Sequence, residues 1–283
     1  MKKYLFPVVA LVAAMASCTS DVEDATVSEQ TNKSKEYAIS VKPFEFVDGL
    51  TRTHLILGNN GLNFGWDFNE TFGVYPIAPY ENDQAKWNLQ RADATGCEGD
   101  NYAHFRGQGW QLQADVTYAA YQPYTQTTAS YTEVPVALSS SQDGRLSEID
   151  NSEDYMWATG KYEEPDENGH TSKVVFDFSH AIAIVQIQVP ANIVDGIYVT
   201  ADEGNPFITS GTMDVSTGIV TAEARTNKIS LSNPETVENG VATFYLAAFP
   251  TTTGACTITV DGNTYQVASK KLEAGKAYRW ICQ

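Results

Sequence analysis

Cysteine and histidine are rare in this chain, four of each among 283 residues, and basic side chains are outnumbered by acidic ones, 18 to 35. Each scarcity closes off a class of function. His54, His104, His170 and His180 never fall four residues apart, and no H-E-x-x-H, G-x-S-x-G, phosphate-loop or G-x-G-x-x-G pattern occurs. No metallohydrolase, serine-hydrolase or nucleotide-binding chemistry is therefore indicated. His180 lies inside a strand pattern and reads as a core or edge residue. Cys18 apart, Cys97, Cys256 and Cys282 form an odd set, which allows at most one internal bridge and leaves one thiol over. Cys256 and Cys282 sit in strand-like segments and are the candidate pair, and their spacing fits no zinc motif. Cys97 has Glu98 and Asp100 beside it, neighbours that keep a thiol protonated and speak against a nucleophile. Asp166, Glu167 and Asn168 lack the ligand spacing of an EF-hand loop and read as a solvated turn. The sequence indicates no enzyme, no metal and no cofactor.

Positive charge is lacking overall, with a net charge of −17. An acidic surface repels nucleic acid and anionic headgroups, so neither is an expected partner. Long apolar runs are missing except for Leu5–Met15, which is too short to cross a bilayer as a helix of about 20 residues. That run follows Lys2 and Lys3 and leads through Ala16 and Ser17 to Cys18, the order of a secretory signal peptide. Met15-Ala16-Ser17-Cys18 resembles a bacterial lipobox, whose cysteine is lipidated and becomes the new N-terminus. The alternative is an ordinary signal with a chance cysteine. Lipid adds about 0.8 kcal/mol per buried methylene, so a multiply acylated Cys18 would hold the chain to the outer membrane. Removing residues 1–17 leaves 16 basic against 35 acidic residues, a net charge of −19. Residues 18–35 are polar and acidic, and such a composition cannot bury enough surface to fold alone. They read as a tether; Asp21, Glu23 and Asp24 resemble the surface-export signal of lipoproteins in one phylum of Gram-negative bacteria, the alternative being simply a charged linker.

Helical periodicity is nearly absent too; only Asp83–Ala92 suggests a short helix, without a clean apolar stripe. What replaces it is alternation, the signature of strands. Ala38–Lys42 alternates, Phe44 and Phe46 flank Glu45, and Phe72–Ile77 reads as a strand. Trp110–Gln113 and Val116–Tyr121 read as a hairpin-like pair. Phe176 and Phe178 alternate with Asp177 and Ser179, and Val185, Ile187 and Val189 with Gln186 and Gln188. The apolar phase slips between Ile184 and Val185, which implies a bulge or burial on both faces. Asp261-Gly262-Asn263 between Thr257–Val260 and Thr264–Val267 is a strong hairpin signal, and Ala277–Cys282 reads as a closing strand with Tyr278, Trp280 and Cys282 on one face. Many short strands divided by turn residues indicate an all-β protein built of sandwiches. The polar loop Tyr162–Ser172 suggests a boundary, with one sandwich over residues 36–165 and a second over 172–283.

Certain segments resemble the fimbrillin family, the Mfa-like and fimbrillin-A-like lipoproteins of type V pili. They are Leu50-Thr51-Arg52-Thr53, Leu62-Asn63-Phe64-Gly65-Trp66, Phe72-Gly73-Val74-Tyr75, Gly109-Trp110, Tyr118–Tyr124 and Asp154-Tyr155-Met156. Phe176–Ala181, Phe244-Tyr245-Leu246 before Pro250, and Ala274–Trp280 continue the series. The resemblance implies two tandem transthyretin-like β-sandwiches behind a lipoprotein signal. It further implies cleavage of the N-terminal strand by an arginine-specific protease, then refilling of the vacated groove by a strand of the next subunit. Such strand addition takes affinity from backbone hydrogen bonds and specificity from alternate side chains. Arg52-Thr53 best fits the processing site, because it follows the turn signal Asp48-Gly49; the alternative is an uncut loop arginine. Cleavage there would release Cys18 together with the strand carrying Tyr37, Ile39, Val41, Phe44 and Phe46. Four or five side chains refilling the groove, at about 1.5–3 kcal/mol each, would offset the ordering of the incoming strand. No tail follows the closing strand, so a stalk subunit would have to lend a strand of its own fold, and a tip, anchor or accessory role stays open.

The expected protein is thus a surface lipoprotein of the outer membrane and fimbrium, a fimbrial subunit or fimbria-associated adhesin whose partners are other fimbrial subunits or its own copies. The other reading is a solitary lipoprotein that binds a glycan or a host protein. Trp87, in a polar stretch, is its candidate stacking residue, since most other aromatics of a sandwich belong to the core.

Overall fold

The computed structural model describes residues 39–47, 57–58, 61–62, 71–77, 84–89, 102–103, 105–107, 116–127, 129–163, 173–190, 195–202 and 204–283. They form an all-β protein with one seven-residue helix, Leu146–Ser152. Its architecture follows from Ala183–Pro190, a strand with almost no polar stripe. Val185, Ile187 and Val189 enter one core, and Ile184 enters another. Its pairing with Val241–Ala248 runs unbroken from Ala183↔Ala248 to Pro190↔Val241. The phase slip at Ile184 therefore marks burial on both faces, not a bulge. Gln186 is buried with them, and it is satisfied there: its Nε2 donates to Tyr245 Oη at 2.8 Å and its Oε1 accepts from Arg279 Nε at 2.6 Å.

That strand belongs to a five-stranded sheet ordered Glu45–Phe46, Lys276–Ile281, Ala183–Pro190, Val241–Ala248, Thr236–Glu238. One face packs on a second five-stranded sheet ordered Ser141–Gln142, Lys228–Leu231, Ile197–Ala201, Cys256–Val260, Asn263–Val267. Phe244, Leu246, Val199, Ile258 and Trp280 meet between them. The other face packs with the three-stranded sheet Val134–Ala137, Phe207–Asp214, Ile219–Thr226, where Tyr245 and Ala247 join Val136, Met213, Tyr75 and Tyr121. A third core of Phe72, Val74, Tyr118, Ala120, Phe176 and Phe178 lines the nine-stranded sheet. The spine of that sheet is Ile39–Val41, Phe176–His180, Met156–Glu163, Thr117–Gln122, Thr71–Ile77.

Asp261 and Gly262 both take positive φ, 48° and 79°, and close a two-residue hairpin between Cys256–Val260 and Asn263–Val267. The expected helix over Asp83–Ala92 is instead a strand, Ala85–Leu89, held between Thr71–Val74 and Phe105–Gly107; two open edges outweigh a weak helical preference. Around the expected linker, Met156–Glu163 and Lys173–Val174 pair with each other, and pairing passes from the nine-stranded sheet to the five-stranded one at Ala181-Ile182, between Phe176–His180 and Ala183–Pro190.

Cys256 and Cys282 do not form a bridge; both are free and buried. Their place in strand-like segments suggested a pair, but within the core they share each packs as a small apolar residue. Burial pushes each thiol up to about 11. Iodoacetamide should accordingly leave both unmodified in the native protein and label both in urea, as read by peptide mass spectrometry. Labelling of either at equal rate in both states would contradict this burial.

Candidate functional site

The segment Ile39–Val47 runs along one sheet and then another. Ile39–Val41 lies parallel to Phe176–Phe178, with Tyr102–Ala103 antiparallel on its other side, and the Lys42 amide donates to the Phe178 carbonyl at 2.8 Å. Pro43 brings no N–H to be satisfied at the crossing. Glu45–Phe46 then forms the edge of the five-stranded sheet, parallel to Lys276-Ala277. The Glu45 and Val47 amides donate to the carbonyls of Gly275 (2.9 Å) and Ala277 (3.1 Å).

Among the side chains described in the segment, Val41 at 6% exposure and Phe44 at 0% are seated in cores. The Phe44 ring lies on the His180 imidazole, centroids 3.7 Å apart and planes 20° apart. Beneath it, His180 Nδ1 and Asp154 Oδ1 are hydrogen-bonded at 2.8 Å, both side chains almost fully buried. At the surface, Lys42 pairs with Asp177 at 3.4 Å and donates to Ser179 Oγ at 3.2 Å, while Glu45 pairs with Lys276. Exposed pairs of this kind contribute little, about 0–1 kcal/mol. The buried anchors and the backbone bonds hold the segment in place.

Beside the segment opens a cleft of about 630 Å³. Lys42, Pro43 and Glu45 form one wall, Trp157 and the hairpin tip Thr217–Val220 another, and Lys271–Lys276 a third. The hairpin turn is fixed by Asp214, whose carboxylate accepts from the Ser216 amide at 2.8 Å and hydroxyl at 2.6 Å. Gly218 has φ +71°, and a Cβ there would collide with the Trp157 indole.

Among the residues singled out from sequence, Ile39, Val41, Phe44 and Phe46 fall on this one segment. Cys18, Tyr37, Arg52 and Thr53 lie outside the described residues, as do Cys97, Asp166, Glu167 and Asn168. Trp87 occupies a strand position opposite Phe72 and Gly107, not a helical one. Among the described residues no group of three or more His, Cys, Asp or Glu could hold a metal. The His180–Asp154 pair escaped the sequence reading, since 26 residues separate its members. Its one linear trace is a polar residue on the buried phase of Phe176-Asp177-Phe178-Ser179-His180.

Residues 51–280 match the family model described as fimbrillin-like. Among solved structures, the chain resembles a candidate cell adhesion protein from Bacteroides ovatus at 18% identity and TM-score 0.52, covering 88% of this chain and 92% of that one. A similar candidate adhesion protein from Bacteroides uniformis gives 18% identity and TM-score 0.51, over 77% and 87%. A fimbrial protein from Bacteroides ovatus gives 10% identity and TM-score 0.50, over 89% and 49%. These likenesses establish a shared fold. No curated protein matches the chain.

Proposed function

Since the chain belongs to the fimbrillin-like family, with the fimbrial or adhesive role and cell-surface place that membership carries, we propose that it is a pilus subunit assembled by exchange of its N-terminal strand. In this reading residues 1–17 are a signal peptide, and Cys18 carries lipid in the outer membrane. Residues 18–35 are the tether, and cleavage between Arg52 and Thr53 frees the strand around residues 37–47. Another fimbrial subunit or a second copy then fills the seat.

The observation that carries this reading is the seat of Ile39–Val47. A short N-terminal segment, attached by backbone bonds along two sheets, seats Phe44 in a core. Its partners, Phe176–Phe178 and Lys276-Ala277, lie far downstream of Arg52, so a cut there would leave every wall of the groove within one continuous chain. An incoming strand could reuse the same carbonyls and the same pocket. A solitary adhesin is the second reading, favoured by the cleft beside the segment.

Arginine-specific protease digestion of the full chain should give a single cut after Arg52, followed by oligomers that survive mild detergent. Arg52→Ala should abolish both the cut and the oligomers without changing the thermal midpoint. Cleavage at Arg52 that leaves a monomer would refute strand exchange.

A further inference from the structure

We propose that the cleft beside the N-terminal segment binds carbohydrate, one or two sugar rings, and binds it only while that segment is seated. The volume, about 630 Å³, falls within the range of about 300–1,000 Å³ usual for small-ligand sites. The lining combines two chemistries. It includes the half-buried Trp157 indole and Ile219, an apolar side chain left 65% exposed at the hairpin tip. It also includes two ion pairs, Lys271–Glu273 at 2.7 Å and Lys276–Glu45, together with Lys42.

This combination matches a pyranose. Its C–H faces pack on an aromatic or aliphatic surface, and its hydroxyls both donate and accept. Ammonium groups only donate and carboxylates only accept, so alternating pairs serve every hydroxyl around a ring. With three lysines against two glutamates the lining is nearly balanced, unlike the chain as a whole at −17. A strongly charged ligand would find no net field there, and a purely apolar one would desolvate the pairs without replacing their water. Gly218 lets the hairpin tip close against the indole.

Lys42, Pro43 and Glu45 supply one wall, so the sugar touches the segment and the body at once. A ligand that binds only the seated form lowers the population of the unseated form about a hundredfold at one hundred times its Kd. This consequence rests on the strand displacement proposed above; sugar binding to the uncut chain does not. The cleft would thus make carbohydrate adhesion and strand release mutually exclusive states.

The test titrates the uncut full chain with glucose, galactose, N-acetylglucosamine, mannose and lactose, following tryptophan fluorescence and calorimetric heat. At least one should bind saturably at one site. The double variant Lys271→Ala/Glu273→Ala, whose side chains are 71% and 49% exposed, should weaken it at least about tenfold, the effect of losing about 1.4 kcal/mol. Lys228→Ala, over the Tyr198 ring on another sheet, should leave binding unchanged. The bound sugar should also slow release of the N-terminal fragment after protease cleavage. Failure of all five sugars to bind, or equal binding by the double variant, overturns the site. Sugar binding that persists after the fragment has dissociated overturns the coupling. Oligomerisation after cleavage is read separately, so loss of strand exchange and loss of the sugar site are distinguishable.

Discussion

Phe44→Ala should loosen the N-terminal segment by about 3–5 kcal/mol, the usual cost of emptying a buried aromatic site, and should do so locally. Phe44 is fully buried and stacked on His180, whereas the other described contacts of the segment are a few backbone bonds, Val41 and surface ion pairs. Amide hydrogen exchange is the natural measurement. Protection of the Lys42, Glu45 and Val47 amides, which donate to Phe178, Gly275 and Ala277, should fall by two orders of magnitude or more, since about 1.4 kcal/mol is tenfold. Amides of Val185 and Ile187 in the central strand should keep their protection. Release of the fragment after cleavage should accelerate in parallel. Uniform loss of protection throughout the chain would mean that the segment is part of one cooperative unit and cannot leave alone, which would count against strand exchange as much as against this local account.

His180→Leu should be the most costly single change beneath that seat. Asp154 is 5% exposed, its Oδ1 bonds to His180, and its Oδ2 has no hydrogen-bond partner among the described residues. Removing the imidazole leaves a buried carboxyl with neither oxygen engaged by that ring. Breaking one half of a buried pair costs about 3–5 kcal/mol, while replacing both halves by apolar groups is often neutral or stabilising. Asp154→Leu/His180→Leu should therefore recover much of what His180→Leu loses, and urea midpoints of the two single variants and the double close the cycle. If the double variant is the sum of the singles, the pair is not coupled and its burial serves packing alone.

Strands were largely legible because alternation is local. The Phe176/Phe178 and Val185/Ile187/Val189 patterns and the Asp261-Gly262 turn each depend on a few neighbouring residues, and each appears where the pattern puts it. Partnership was not legible. Ala85–Leu89 became a strand because Thr71–Val74 and Phe105–Gly107 had edges to fill, and nothing within Asp83–Ala92 announces them. The thiols of Cys256 and Cys282 share a core without approaching as a bridge, and one sequence gives depth but not distance. Among the site residues, Phe44 and Phe46 stood out by flanking a charge, and Phe44 proved to be the anchor. The cleft is assembled from six separate stretches of chain, with Lys42 and Lys276 at its extremes, so no window of sequence contains it.

The pairing of Glu45 with Lys276 spans 231 residues, and that separation has a consequence in time. A ribosome adding about 5–20 residues per second needs more than ten seconds to pass from one to the other. Through that interval the N-terminal segment exists without half of its seat, and it can dock only after Gly275 and Ala277 have been made. Closing so long a loop is also among the slower steps open to a folding chain. The N-terminal segment is thus among the first residues synthesised and among the last to be seated, because half of its seat comes from the far end of the chain.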